Sequence, residues 1–164
     1  MTPEDSTRLG GLLLGQRLIA VGVVADGEPI VGLLPYAVWD DGSALVVQSS
    51  SLSRHSRGLV AGARWSGMIH EPDSAESDPL QVPRLQVEGI VDPLSGDRPE
   101  FPPAARALLG RFPRAAMTLP LPDFTLYRLE IRGGRMVLGF GRALNITTDH
   151  LRRCVSGERI MTDE

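Results

Sequence analysis

Leu9, Leu12, Leu13 and Leu14 lie along one side of a stretch running from about Pro3 to Arg17, with Thr7, Arg8 and Gln16 off it. Apolar positions three and four apart predict a short amphipathic helix over 3–17. From Leu18 the period changes. Three apolar runs, Leu18 to Ala25, Pro29 to Trp39 and Ala44 to Gln48, are separated by Asp26-Gly27 and Asp41-Gly42. Asp-Gly between apolar runs marks a tight hairpin, because glycine takes the positive φ that such turns need. An antiparallel meander is expected.

Further along, a helix is predicted from about Ser53 to Gly62 with Leu52, Leu59 and Val60 turned inward, followed by a strand near Arg64 to His70. Residues 71–83 hold three prolines, two serines and four acidic residues (Glu71, Asp73, Glu76 and Asp78), which reads as a mobile acidic loop. Arg84 to Val91 alternates, Leu85, Val87 and Val91 against Gln86, Glu88 and Ile90, as a strand does. Phe101, Ala105, Leu108, Leu109 and Phe112 recur at helical spacing behind Pro102 and Pro103, which a first turn tolerates. Phe124 to Ile131 and Arg135 to Phe140 read as two more strands, with Gly133-Gly134 as the hairpin between them. The tail, 144–164, ends in a short helix. Six or seven strands, three or four inserted helices and no internal repeat point to one domain over 1–164. The expected architecture is mainly β with peripheral helices, an antiparallel barrel that leaves no open sheet edge.

A chain of 164 residues, 42% hydrophobic, is long enough to bury a core of that kind. The net charge of -3 lacks the dense basic face that phosphate backbones require, so a nucleic-acid partner is not expected. All 17 basic residues are arginine, which removes lysine as a base or Schiff-base former. Cys154 is the sole cysteine, so no intrachain disulfide forms. The acidic start, Met1-Thr2-Pro3-Glu4-Asp5, and the short apolar runs suggest a cytoplasmic protein without membrane attachment.

Candidate chemistry concentrates between Val46 and Leu59. There an apolar strand runs into Ser49, Ser50 and Ser51, and then into Arg54, His55, Ser56 and Arg57. Hydroxyls, guanidinium forks and the free amides of a helix start would all favour an anion such as a phosphate. Serines at a helix start also act simply as caps, and first-turn arginines as solvated charge. The three histidines, at 55, 70 and 150, show no ligand spacing, and His70-Glu71 reads as the end of a strand, so no metal site is predicted. Gly139-Phe140-Gly141 lacks the following helix of a nucleotide loop, and glycines there more simply mark a close approach of backbone.

Leu33-Leu34-Pro35-Tyr36-Ala37, the segment from Ser50 to Leu59, Pro83-Arg84-Leu85, Leu121-Pro122-Asp123-Phe124 with Tyr127-Arg128-Leu129, and Gly139-Phe140-Gly141-Arg142-Ala143 resemble, in this order, the pyridoxamine 5'-phosphate oxidase-like split-barrel proteins. Within them the chain looks most like the haem-utilisation branch. The resemblance implies a six-stranded antiparallel split β-barrel that pairs as a homodimer, with FMN in two clefts at the subunit interface. It assigns Ser50, Ser51, His55, Ser56 and Arg57 to the flavin phosphate, Pro35 and Tyr36 to the strand beneath the isoalloxazine, and Arg142 to the cleft from the terminal strand. It thus implies a flavin-dependent oxidoreductase of unknown small-molecule substrate. Its alternatives are a haem-binding or haem-degrading protein, with His150 a potential axial ligand or merely a cap, and a dimer without catalysis. Two departures matter. Gly58 stands where the family commonly has an asparagine, and the tail lacks the basic and aromatic grip on a substrate phosphate, so vitamin B6 chemistry is not expected.

Overall fold

The computed structural model describes residues 1–157. Seven strands, β1 (Leu18–Ala25), β2 (Glu28–Val38), β3 (Ala44–Ser50), β4 (Arg64–His70), β5 (Arg84–Leu94), β6 (Phe124–Val137) and β7 (Ala143–Ile146), pair in the order β3-β2-β1-β4-β5-β6-β7. All pairings are antiparallel, and β3 also pairs with β6. That last pairing closes a six-stranded barrel, with β7 added on the far end of β6. Three helices surround it: α1 (Pro3–Gly15), α2 (Phe101–Arg111) and α3 (Thr148–Ser156).

The meander forms as its turn residues dictate: Asp26 and Gly27 both take positive φ, and so does Gly42. Inside the barrel the alternate residues of every strand meet in one core, among them Ile19, Val21, Leu45, Val47, Trp65, Ile69, Leu85, Val87 and Leu129. Helix α1 packs Leu9, Leu12 and Leu13 onto that core and exposes Leu14. Its start is fixed by a capping box between Thr2 and Asp5. Its end has no basic residue of its own, and Arg111 of α2 supplies one, donating to the carbonyls of Leu14 and Gln16. Helix α2 covers the outside of the barrel over Ala37, Val46, Leu94 and Leu126, which makes a second, smaller core with Ala104 and Leu108.

Three expectations need correction. Gly133-Gly134 is not a hairpin: β6 runs unbroken from Phe124 to Val137 along β5, and the register shifts between Glu88 and Gly89 so that Arg132 is the extra residue of a β-bulge. The glycines there answer to crowding. A Cβ on Gly134 would lie 2.3 Å from the Gln86 carbonyl oxygen, and one on Gly89 would lie 1.7 Å from that of Glu130. The helix expected over 53–62 is a single 3₁₀ turn, Arg54–Gly58, and only Leu59 points inward, while Leu52 and Val60 face solvent. Finally, Phe140 ends no strand but tips the turn between β6 and β7, where Gly139 and Gly141 have positive φ. Residues 71–83 hold no helix or strand beyond a 3₁₀ turn at Pro79–Gln81. The tail contributes β7 and α3, and the last residues of the range 144–164 lie outside those described.

Candidate functional site

Strands β2 and β3 pair only where Tyr36 to Val38 meet Leu45 to Val47. Before that, β2 stays with β1 and β3 continues along β6, so the barrel wall opens between Gly32 and Ser49. The 3₁₀ turn fills this split. The His55 ring lies over Gly32, where an added Cβ would sit 2.5 Å from Nδ1, and its Nε2 is 2.8 Å from the Ser49 hydroxyl. Gly58 packs on β1, where a Cβ would meet Val23 Cγ2 at 2.7 Å and the Val24 carbonyl oxygen at 2.8 Å. An asparagine has no room at that position, which accounts for the departure there.

The turn does bring Ser50, Ser51, His55, Ser56 and Arg57 together, but most of their donors are committed. The Ser56 hydroxyl is 2.6 Å from that of Ser49 and donates to the Ser50 carbonyl at 2.6 Å. Ser50 donates its own hydroxyl to the Asp123 carboxylate at 2.8 Å, which also sets a negative charge beside the turn. Arg57 is paired with Asp26 at 2.7 Å, while the Ser51 side chain is exposed. Burial lowers the pKa of His55, keeping the ring neutral and hydrogen-bonded rather than cationic. A phosphate here would meet only Ser51 and the unpaired nitrogens of Arg57 without displacing these partners, and a 3₁₀ turn of five residues offers no helix terminus to receive it.

Tyr36 requires correction. Its side chain is wholly in the core, and its hydroxyl donates to the Leu13 carbonyl at 2.7 Å, so it cannot touch a ligand in an intersubunit cleft. Burial pushes its phenol above the usual tyrosine range. The alternation of β2 decides this: Pro35 faces outward and Tyr36 inward. Arg142 is engaged at the start of α1, 2.5 Å from the buried carboxylate of Asp5.

Periodicity alone did not single out the outer face of β1, β2 and β4. Both faces of β2 are apolar, and Val24, Val31 and Leu33 are 63%, 70% and 65% exposed, with Leu18 beside them. Gly22 pairs with both Val31 and Ser66, so a row of small residues hollows the centre of this face. The resulting concavity, about 650 Å³, has Val24, Pro29 and Val31 on one side and Arg64, Ile90 and Arg132 on the other. The β-bulge is what sets Arg132 at its edge.

The histidines differ in what their rings can offer iron. His150 accepts the Thr147 backbone N–H at Nδ1 as part of the α3 capping box, which leaves its proton on Nε2. His55 spends Nε2 on Ser49. His70 is exposed at the end of β4 and places Nδ1 2.8 Å from the Glu71 carbonyl, to which only an N–H can bond. In the neutral ring this puts the lone pair on Nε2, the tautomer that metal-binding histidines adopt. By strand alternation it stands on the outer face with Ser66 and Met68. Among the described residues no cluster of three histidine, cysteine or carboxylate side chains could hold a bare metal ion.

A closed six-stranded barrel with a split filled by a 3₁₀ turn, and helices packed outside, is the architecture of the pyridoxamine 5'-phosphate oxidase-like split-barrel proteins. The chain resembles Vibrio cholerae HutZ, described as a haem oxygenase, at 27% identity over 130 residues, covering 79% of this chain and 73% of that protein. A haem binding protein from Mycobacterium smegmatis superposes with a TM-score of 0.78 at 26% identity over 93% of this chain, which spans only 61% of that protein's length. A Clostridium acetobutylicum protein related to general stress protein 26, of the pyridoxinephosphate oxidase family, superposes with a TM-score of 0.65 at 13% identity, covering 92% of this chain and 99% of that one, and so shares the fold. No family model matches the chain. The chain thus has the split-barrel fold, and the relatives it resembles are those of the haem-utilisation branch.

Proposed function

We propose that this protein binds haem, with the outer face of β1, β2 and β4 receiving the porphyrin and a second copy of the chain covering that face. The observation that carries the reading is the hollow of about 650 Å³, apolar on one side and edged on the other by Arg64 and Arg132, with the single carboxylate of Glu88 among them. A porphyrin is a flat apolar body with two carboxylates. The valines and Pro29 suit the ring, and forked guanidinium groups suit the carboxylates. His70, on the same outer face but beyond the residues that line the hollow, turns Nδ1 to the Glu71 carbonyl and so leaves Nε2 facing outward as a candidate ligand to iron. Bound haem would supply the electron and oxygen chemistry, and the chain's own residues would hold it, orient it and exclude water.

The flavin oxidoreductase reading has the fold behind it, but Ser50, Ser56 and His55 of the turn are hydrogen-bonded within the chain and the Tyr36 side chain is buried. Haem titration of the purified protein distinguishes the two. We expect a saturable Soret band, with FMN giving no comparable binding. Arg64→Met and Arg132→Met should each weaken haem about tenfold or more, the worth of one charge-assisted contact. His70→Ala should change the Soret position while His150→Ala leaves it unchanged. Saturable FMN binding without a Soret band would overturn the proposal. Incubation of the haem complex with a reductant and oxygen then tests whether it also degrades haem, as loss of the Soret band would show.

A further inference from the structure

A second recess, of about 420 Å³, lies between the β2–β3 turn, the middle of β6 and the start of α3. Three guanidinium groups line it, those of Arg128, Arg132 and Arg152, together with Thr148 and the carboxylates of Asp41 and Glu130. The carboxylates do not use up the cations. Arg132 holds Glu130 at 3.1 Å through Nε, which leaves its terminal nitrogens free, while Arg152 is shared between Asp149 at 3.4 Å and Asp41 at 3.8 Å. Arg128 is the least satisfied. Its one ionic partner is Asp92 at 4.0 Å, its Nε is buried with no acceptor, and its plane is held 5.2 Å from the Trp39 ring. The lining itself has three guanidinium groups to two carboxylates, with Asp92 and Asp149 just outside it, and the donors left without a partner are Arg128 Nε and the terminal nitrogens of Arg132.

We propose that this recess binds the phosphate group of a small phosphorylated molecule. Guanidinium forks converging from β6 and α3 suit a tetrahedral oxyanion, whose oxygens point apart, better than a planar carboxylate. The recess is larger than a phosphate ion and leaves room for the rest of a ligand. Arg132 stands on the ridge between this recess and the outer-face hollow, lining both. The site is otherwise separate from the haem reading and does not depend on it.

Calorimetric titration with inorganic phosphate, at ionic strength held constant with chloride, tests the proposal. The wild type should bind saturably, and Arg152→Met should bind about tenfold or more weakly, since one charge-assisted contact is lost. Arg152 is half exposed on α3, so its replacement leaves the barrel intact. Arg128→Met, whose folding is checked by circular dichroism, should lose at least as much. Arg54→Met, which alters the 3₁₀ turn instead, should bind as the wild type does. Absence of saturable binding, wild-type affinity in Arg152→Met, or weakening in Arg54→Met alone would each overturn the assignment.

Discussion

At the scale of single residues, the local surroundings of two ionisable groups set how stability follows pH. Asp5 is buried at the start of α1, and the backbone amide and hydroxyl of Thr2, followed by Arg142, hold its carboxyl below the ordinary carboxylate range against the cost of burial. The carboxylate therefore stabilises the fold at neutral pH, and that contribution is lost as pH falls below about 4, the unfolded value, and through the folded one. Acid titration of unfolding should show Asp5→Asn less stable than the wild type at neutral pH, with the difference closing in acid. His55 is also shifted down, by burial, so the unfolded chain takes up the proton first. Stability should fall from about pH 6.5 downward. In His55→Gln that part of the pH dependence should vanish. The sequence showed both side chains, but not what they touch: Asp5 was read only as part of an acidic start, and Ser49, which bridges His55 and Ser56, was not set apart from its neighbours. Partners 148 or 73 positions away, as for Ser6 with Cys154 or Ser50 with Asp123, come from the fold rather than the local pattern.

At the scale of elements, most of the strands and helices were legible because alternation, helical spacing and Asp-Gly turns are local signals. The failures share a cause. Gly133-Gly134 carries the residue types of a hairpin, yet what it answers to is the neighbouring strand: β5 comes so close that a side chain has no space, and β6 bulges at Arg132. The glycines therefore divide into those that are required and those that are tolerated. Gly89→Ala and Gly134→Ala should each destabilise the protein by about 3 kcal/mol or more, because a Cβ would collide with backbone carbonyls that can move only by breaking the ladder. Gly133→Ala, whose Cβ would lie 3.7 Å from the Ile146 carbonyl oxygen, should cost much less. Denaturant unfolding of the three variants measures the ordering, and equal costs would remove close strand approach as the reason for these residues. The turn at 54–58 is the same lesson in reverse. Its sequence suits a helix start, but the space between β2 and β3 admits one tight turn, with His55 over Gly32 and Gly58 against β1.

At the scale of the whole molecule, the barrel interior explains why the inward residues are apolar, and α2 explains Ala37, Val46 and Leu126, but nothing among the described residues of one copy covers Val24, Val31, Leu33 and Leu18. A contiguous apolar face spread over two strands is costly to leave in water and marks a surface that another body covers. The edges of this barrel are closed by the β3–β6 pairing, so the contact would be made face to face by side chains rather than by adding strands. A second copy satisfies that condition on two-fold symmetry, each copy burying the same patch. It would also turn the open hollow between Val31 and Arg64 into an enclosed one, which strengthens the arginine contacts to carboxylates by excluding water. Analytical ultracentrifugation should give twice the 17.7 kDa chain mass for the wild type and the single-chain mass for a Val31→Asp, Leu33→Asp variant with an unchanged circular dichroism spectrum. The monomeric variant should bind haem more weakly although Arg64, Arg132 and His70 are all retained. A wild type that sediments as a monomer and still binds haem with full affinity would show that the exposed face serves the ligand alone.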